Sequence, residues 1–222
     1  MQEKFQNGHD GSVDLTFLST SGIKLEIGIG NNPQPGHLHC DITYRPGVDC
    51  ICDTRQLPFA DGAASHIYCR HLLEHLGKES AERAIMEWYR VLQPGGMLDI
   101  NVPDLATHCL QLSRPGVSRY LLRTYYIAVS NRDHALYSIF GWQEDRFQFH
   151  YWGYTVDDLR KMLAIVGFCE IARINDGMFC NIRLLAKKVR GTVVYRDDRP
   201  VLVKLRSAWN RLLAAAVARL SF

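Results

Sequence analysis

The chain has 222 residues and a net charge of +3, and 47% of its residues are hydrophobic. These values fit one folded domain with a substantial core, and they exclude wholesale disorder and a protein that mainly wraps nucleic acid. The sequence contains no run of about 18 apolar residues, so no membrane-spanning helix is predicted. The seven cysteines form no CxxC pair, and no apolar secretion signal precedes them. We therefore expect a reduced, cytoplasmic protein without a disulfide framework or structural zinc.

Short apolar strands alternate with amphipathic helices after a polar extension at residues 1–23. Strands are predicted at 24–30, 37–42, 48–52, 65–69, 97–102, 168–173 and 181–187. Helices are predicted at 71–76, at 80–91 with Ser80 as N-cap, and at 155–166, where Thr155 and Asp158 have capping-box spacing and Gly167 ends the helix. This alternation predicts an α/β domain over residues 24–190, with a seven-stranded, mostly parallel sheet covered by helices on both faces.

Two regions depart from this pattern. Residues 105–150 are predicted to be an inserted cap, and the segment 120–154 holds eleven of the chain's 23 aromatic residues. These rings fit either sugar recognition or the cap's own core, with Trp142 and Trp152 as preferred acceptor contacts. The tail at 191–222 has five basic residues and no acid within 199–222. Its apolar residues have helical spacing, so it could lie on a membrane, pack on its own domain or pair two chains as a homodimer.

The segment Glu26-Ile27-Gly28-Ile29-Gly30-Asn31 is the first sign of chemistry. Glycines at a strand end permit positive φ and close approach of a ligand. Asp41 and Asp53 end the next two strands, at the edge where open α/β sheets bind ligands. Such acids can accept hydrogen bonds from ribose hydroxyls and from an adenine amino group, although each could equally be a cap or turn residue.

Three features favour S-adenosyl-L-methionine (SAM) over a nicotinamide dinucleotide. Pro33 replaces the third glycine of G-x-G-x-x-G, and Glu26 would repel a pyrophosphate. Only residues 31–36 separate the turn from the second strand, which is too short for the crossover helix that cradles a pyrophosphate. SAM carries a sulfonium and an ammonium but no phosphate. Its binding therefore depends less on the missing crossover helix.

Five segments together resemble class I SAM-dependent methyltransferases in order and spacing. They are LEIGIGNNPQPGHLHCDI, DTRQLPFADG, YCRHLLEHL, EWYRVLQPGGMLDINVPDL and HYWGYTVDDLRKMLAIVGF, and they lie within residues 24–188. The likeness is greatest to a compact bacterial branch with a GNNPxPG turn, often met near surface-polysaccharide genes. It implies a Rossmann-like fold with a shortened first crossover and methyl transfer from SAM to a small-molecule or saccharide acceptor, at a hydroxyl.

The resemblance also implies which residues hold SAM. Gly28 and Gly30 would line its methionine part, and Glu26 and the Cys69 carbonyl would contact its ammonium. The chain departs from the wider family in its Asn-Asn-Pro turn and in its lack of a first crossover helix. Asn31 is predicted among the cofactor contacts, and Asn31 and Asn32 could close the pocket instead of capping a helix.

A second set of residues would hold the adenosine. Asp41 would bind the ribose, and Ile42 would pack on the adenine. Asp53 would face the adenine amino group, beside a hydrogen bond from the Thr54 backbone.

A hydroxyl acceptor needs a base near its proton. The candidates are His71 after the fourth strand, His150 where the cap returns to the sheet, and Asp104, which could equally cap a helix. His71 and His75 would share a helix face and could bind a metal. With no third convergent ligand we predict no metal, and Glu74 and His75 could equally cap and pack their helix.

The cysteines are not expected to form a site, because Cys40, Cys50 and Cys52 fall on predicted strands as small buried residues. We therefore predict a SAM-dependent methyltransferase, cytoplasmic or peripheral at the inner membrane. The alternatives are a weakly catalytic scaffold or membrane-associated partner protein, a nicotinamide-dependent oxidoreductase, and a nucleic-acid methyltransferase. The last of these lacks an Asn-Pro-Pro-Tyr-type signature after the fourth strand, where Arg70-His71-Leu72-Leu73 stands.

Overall fold

The structure, a computed structural model, describes residues 22–30, 32–122, 125–175, 177 and 180–188, and the side chains of 117–128 are outside that description. The predicted extension falls almost wholly outside the described residues, and the tail at 191–222 and Asn31 lie outside them entirely. Their predicted roles therefore stay predictions.

Seven strands form the central sheet. They are β1 Ile23–Ile27, β2 Leu38–Asp41, β3 Cys50–Ile51, β4 Ala64–Arg70, β5 Leu92–Pro103, β8 Phe168–Ile174 and β9 Asn181–Lys188. Their order across the sheet is β3-β2-β1-β4-β5-β9-β8. All neighbours from β3 to β5 pair in parallel, and β9 runs antiparallel to both β5 and β8. The predicted mixed α/β fold with a mostly parallel seven-stranded sheet is confirmed.

Four α-helices are present in the described residues: α1 Lys78–Val91, α2 Leu105–Leu112, α3 Asn131–Phe140 and α4 Val156–Val166. The capping box of α4 forms as predicted, since Thr155 and Asp158 exchange hydrogen bonds. Gly167 ends that helix at a φ of +115°, a conformation that favours glycine.

Two predictions about helix starts are wrong. The predicted helix 71–76 is only a short 3-10 helix at Leu73–His75, because His71 has a φ of +50° that interrupts helical geometry. Ser80 is not an N-cap, because α1 begins at Lys78 after Gly77. The Ser80 hydroxyl instead accepts a hydrogen bond from Arg55 at 3.3 Å.

One face of the sheet forms the core, against α1 and α4. Alternate residues of the strands point into it, as the burial pattern of β9 shows. The buried strand residues on this face include Leu25, Ile27, Ile67, Leu98, Ile100, Ile182 and Leu184. They pack against the predicted helical stripes, of which Ile85, Trp88 and Leu159 are completely buried.

Residues 105–150, the cap, contain α2, α3 and a small antiparallel pair, β6 Val117–Leu122 and β7 Tyr125–Ser130. The two cap helices pack against each other. The chain then returns to the sheet, where the backbone N–H groups of Tyr151 and Trp152 both donate to the Glu74 carbonyl. None of the helices in the described part of the chain combines the length and apolar character that a membrane crossing requires.

Candidate active site

The glycine turn after β1 is built around a buried carboxylate. Glu26 is 1% exposed, and its Oε2 accepts a 2.6 Å hydrogen bond from the Gln34 backbone. His39 Nε2 lies 3.4 Å from the same oxygen. Glu26 therefore holds the short loop between β1 and β2, in which the described residues form turns and bends and no helix.

Gly28 brings this turn against the segment that follows β4. Its φ is +73°, and a Cβ at this position would lie 3.2 Å from atoms of the Leu72 side chain. Gly30 also has a positive φ, of +55°. Cys69 ends the neighbouring part of β4 completely buried, and burial raises the pKa of its thiol. The side chain is thus an apolar packing element, and its backbone carbonyl remains the group predicted to face the ammonium of SAM.

Asp41 and Asp53 lie at the ends of β2 and β3, and each carboxylate has an arginine partner. Asp41 Oδ1 accepts hydrogen bonds from the backbone and hydroxyl of Thr43, at 3.1 and 3.2 Å, and Arg45 Nε lies 3.7 Å from Oδ2. Asp53 binds Arg55 through both oxygens, at 2.9 and 2.5 Å. Hydrogen bonds from Arg55 hold the pKa of Asp53 below its usual range. Both acids therefore stabilise the turns that follow their strands.

The two predicted neighbours of these acids differ in exposure. Ile42 is 51% exposed, which suits a side chain that packs on a flat ligand. Thr54 is buried, and its hydroxyl accepts a 2.8 Å hydrogen bond from Trp88 Nε1. The hydroxyl of Thr54 is thus used within the core, and the predicted cofactor contact involves only its backbone N–H.

His71 follows β4 at the carboxyl edge of the sheet and is paired with a buried acid. Its backbone N–H donates to the Asn101 carbonyl of β5 at 2.9 Å. Its Nδ1 lies 3.0 Å from Glu74 Oε1, so the carboxylate favours the tautomer with the proton on Nδ1. The Nε2 atom then carries a lone pair, and Asn181 Nδ2 lies 3.4 Å from it.

Glu74 also meets two further histidines. Burial would raise the pKa of this carboxyl, but the hydrogen bond with His71 and the nearby rings of His75 and His150 outweigh it, and the pKa is lowered. Burial lowers the pKa of His150, and the Glu74 carboxylate opposes this shift. An ionised acid therefore lies among three imidazoles beside the glycine turn.

A family model described as a methyltransferase domain matches residues 28–100, from the glycine turn into β5. Residues 28–100 are thus similar to a methyltransferase domain. No curated protein sequence matches the chain.

Solved structures of methyltransferases are similar to this chain. A SAM-dependent methyltransferase from Thermotoga maritima is 16% identical with a TM-score of 0.51, over 78% of this chain and 88% of that one. The 1,6-didemethyltoxoflavin-N1-methyltransferase of Burkholderia thailandensis is 14% identical with a TM-score of 0.47, over 79% of this chain and 74% of that one.

Asp104 has a structural role at the start of α2. It is the N-cap of α2, where its carboxylate accepts hydrogen bonds from the Ala106 backbone and the Thr107 hydroxyl. Arg173 also lies 3.4 Å from Oδ2. The helix-capping alternative is therefore what the geometry shows, and a catalytic role for Asp104 stays a prediction.

The two predicted aromatic contacts have different surroundings. Trp142 stacks on Tyr137 with ring centroids 4.4 Å apart, which is a contact within the cap. Trp152 is 44% exposed and lines a cavity of about 10 Å³ that also touches Glu74 and His108. Trp152 is thus more exposed than Trp142, and contact of either residue with an acceptor stays a prediction.

Three cysteines come together, although no cysteine site is expected from the sequence. The sulfur atoms of Cys40, Cys50 and Cys52 lie within 4.8 Å of one another, because β2 and β3 pair Cys40 with Cys50. Hydrogen bonds from Cys40 and Cys52 lower the pKa of Cys50 to about 4. Cys40 is completely buried, and Cys50 and Cys52 pack against the core, as expected of small buried residues. That the cysteines form no site stays a prediction.

One site residue is marked by no motif. Asn181 begins β9, more than a hundred positions after His71 in the chain. It reaches His71 because β9 inserts between β5 and β8 and starts at the edge where β5 ends. A local pattern carries no signal for such a contact.

Proposed function

We propose that this methyltransferase transfers the methyl group of SAM to a hydroxyl of a saccharide or a related small molecule, with His71 as the general base. The observation that carries the proposal is the His71–Glu74 pair, 3.0 Å apart, next to the glycine turn. Glu74 holds the proton of His71 on Nδ1, and Nε2 is left to accept a proton. Thiol or amine acceptors need less help from a base than a hydroxyl does.

The contact between Gly28 and Leu72 supports a common site for cofactor and acceptor. Leu72 follows His71 directly, so the turn predicted to hold the methionine part of SAM adjoins the proposed base. The adenosine would extend towards Asp41, Ile42 and Asp53 at the ends of β2 and β3. Binding of a ribose at Asp41 would require its carboxylate to exchange contacts with Thr43 or Arg45 for ligand hydroxyls.

The proposed reaction is an in-line displacement at the methyl carbon. The acceptor oxygen forms the new bond to carbon as the bond from carbon to sulfur breaks. The electron pair of that bond stays on sulfur, which turns the sulfonium into the neutral thioether of S-adenosylhomocysteine. The hydroxyl proton passes to His71 Nε2, and the Glu74 carboxylate stabilises the resulting imidazolium.

Exposed aromatic side chains support a saccharide acceptor. Phe149, Tyr151 and Trp152 are all at least 36% exposed, and they follow one another where the cap returns to Glu74. Aromatic faces stack on the C–H faces of sugar rings while an edge stays in water. These three residues would therefore bind the acceptor ring beside the proposed base.

Substitution of the pair tests the proposal. We expect His71→Gln to lower kcat about 100-fold or more for transfer of labelled methyl from SAM to a saccharide panel, with SAM affinity unchanged. Glu74→Gln should lower kcat with little change in KM, and Glu74→Asp should restore part of the loss. The matched control is Asp104→Asn. A loss confined to Asp104→Asn would contradict the assignment of the base to His71.

A weakly catalytic scaffold is the second candidate, favoured by the arginine partners of Asp41 and Asp53. Calorimetric titration with SAM, S-adenosylhomocysteine and NADH separates the two functions. Micromolar binding of the adenosyl ligands alone, weakened by Asp41→Ala, supports the enzyme. Absence of adenosyl binding supports the scaffold, and binding of NADH alone supports an oxidoreductase.

Peripheral membrane contact or homodimerisation through residues 199–222 is a further proposal, supported by the basic, helically spaced sequence of that segment. It would place a cytoplasmic enzyme near lipid-linked saccharides. A chain that ends near Arg190 should lose liposome binding or dimerisation. Unchanged liposome binding and mass of the shortened chain would contradict both.

A further inference from the structure

Three metal-ligating side chains meet beside His71. One ligand atom from each of Glu74, His75 and His150 lies within 4.8 Å of the other two. Glu74 and His75 belong to the 3-10 helix after β4, whereas His150 comes from the end of the cap. The hydrogen bonds from Tyr151 and Trp152 to the Glu74 carbonyl, at 2.8 and 3.3 Å, bring the two segments together.

Backbone carbonyls orient both histidine rings. His75 Nδ1 lies 3.1 Å from the Phe149 carbonyl oxygen, and His150 Nδ1 lies 2.8 Å from that of Ser138. A ring that donates from Nδ1 keeps its lone pair on Nε2. Histidines that bind metals are held in the same way, by a carbonyl or carboxylate on the other ring nitrogen.

The Glu74 carboxylate has one oxygen without a partner. Its Oε1 is taken by His71, whereas Oε2 is buried and makes no hydrogen bond. A buried carboxylate oxygen that has lost water and gained no donor is unfavourable. A cation among Glu74, His75 and His150 would satisfy it, and it would use the two lone pairs that the histidine rings present.

We propose that Glu74, His75 and His150 bind a divalent first-row transition metal, with zinc as the first candidate. Two imidazoles and one carboxylate are a known ligand set for zinc and for iron(II), and they leave coordination positions open. An acceptor hydroxyl in such a position would be polarised and oriented beside His71. This catalytic role rests on the proposed function, whereas metal binding does not.

Cobalt(II), a spectroscopic substitute for zinc, tests the site in the full-length, chelator-treated protein. We expect one cobalt ion per chain, visible absorption from nitrogen and oxygen coordination, and displacement by zinc. His75→Ala and His150→Ala should each weaken binding at least about tenfold. The matched control is His37→Ala, because His37 Nε2 also lies close to a second histidine, 3.0 Å from His66 Nδ1. This control should bind cobalt as the wild type does.

Three outcomes would overturn the proposal. They are no cobalt uptake by the wild type, unchanged uptake by His75→Ala and His150→Ala, and a thiolate-to-cobalt charge-transfer band. Such a band would assign the metal to a group that contains cysteine, either Cys40, Cys50 and Cys52 or His108, His134 and Cys180. The wild-type spectrum decides this last point even if a variant fails to fold. SAM calorimetry on the same preparations separates the two proposals. A protein that binds SAM but no cobalt overturns only the metal site, and one that binds cobalt but no SAM overturns only the proposed function.

Discussion

The two faces of the central sheet are made by alternate residues of the same strands, yet their chemistry is opposite. The face towards α1 and α4 is apolar and almost completely buried. The other face carries polar side chains around an open groove of about 400 Å³. Its lining residues are Gln34, His37, His66, Tyr68, Arg70, Asp99, Asn101 and Arg183.

The short first crossover explains the difference. A helix between β1 and β2 would pack on the sheet and call for apolar residues beneath it, and the described part of this loop forms turns and bends. The side chains of the polar face instead form hydrogen bonds with one another. Arg183 donates two of them to Asp99, at 2.9 and 2.7 Å. Because hydrogen bonds contribute less to stability than burial of large side chains, we expect the apolar face to dominate stability.

The largest expected effect is on the apolar face. Trp88→Ala would leave a cavity in the core and remove the donor to the Thr54 hydroxyl. We expect a loss of about 3–5 kcal/mol in the free energy of unfolding, measured by urea denaturation. Trp88→Phe, which keeps much of the ring but not the hydrogen bond, should lose clearly less. If Trp88→Ala lowered the free energy of unfolding less than substitutions on the polar face do, the apolar face would not dominate stability.

The next effect is on the polar face. Asp99 is buried while Arg183 keeps 31% of its side chain exposed, so Arg183 can recover part of its hydration when its partner is removed. We expect Asp99→Asn to cost about 1.5–3 kcal/mol in the same denaturation experiment. Arg183→Gln should lower the free energy of unfolding less in the Asp99→Asn variant than it does in the wild type. Strict additivity of the two changes would show that the interaction between Asp99 and Arg183 does not contribute to stability.

The fold follows from local patterns, and its exceptions have local physical causes. Alternation in the strands and the apolar stripes of the helices predicted which residues pack in the core. The capping box at Thr155 was visible because both of its members lie three residues apart. The helix predicted at 71–76 failed because nothing in its composition indicates the positive φ of His71.

Most of the predicted site residues lie at strand ends, but the contacts that these residues make were not predictable. The resemblance named Gly28, Asp41 and Asp53 at the carboxyl edge of the sheet, where the structure places them. It did not reveal that Asp41 and Asp53 bind arginines two to four positions later. The meeting of His75 with His150 depends on the length of the cap and on backbone hydrogen bonds across it, which no local pattern records.

A smaller effect is expected at the start of α4, which covers the apolar face. Thr155→Ala removes the hydroxyl that accepts from the Asp158 backbone at 3.2 Å. We expect a loss of about 1 kcal/mol in the free energy of unfolding. Thr155→Ser, which keeps the hydroxyl, is the control and should stay close to the wild type. An equal loss in both variants would indicate that the threonine methyl group matters more than the cap.

The smallest effect is the contribution of one polar-face histidine to the pH dependence of stability. Burial lowers the pKa of His66 from its ordinary value of 6.5, and the neighbouring His37 lowers it further. Lys24 and Arg183 act in the same direction, whereas Asp99 opposes them. The unfolded chain therefore takes up a proton at higher pH than the folded chain does.

This difference in proton uptake sets the sign of the pH effect. The contribution of neutral His66 to stability is complete above pH 6.5 and is lost as the pH falls below that value. His66→Gln cannot take up this proton, so we expect a smaller loss of stability than in the wild type between about pH 7.5 and about pH 5. Thermal unfolding of both proteins across this range measures it. Equal acid-side losses in the two proteins would show that His66 does not contribute to the pH dependence.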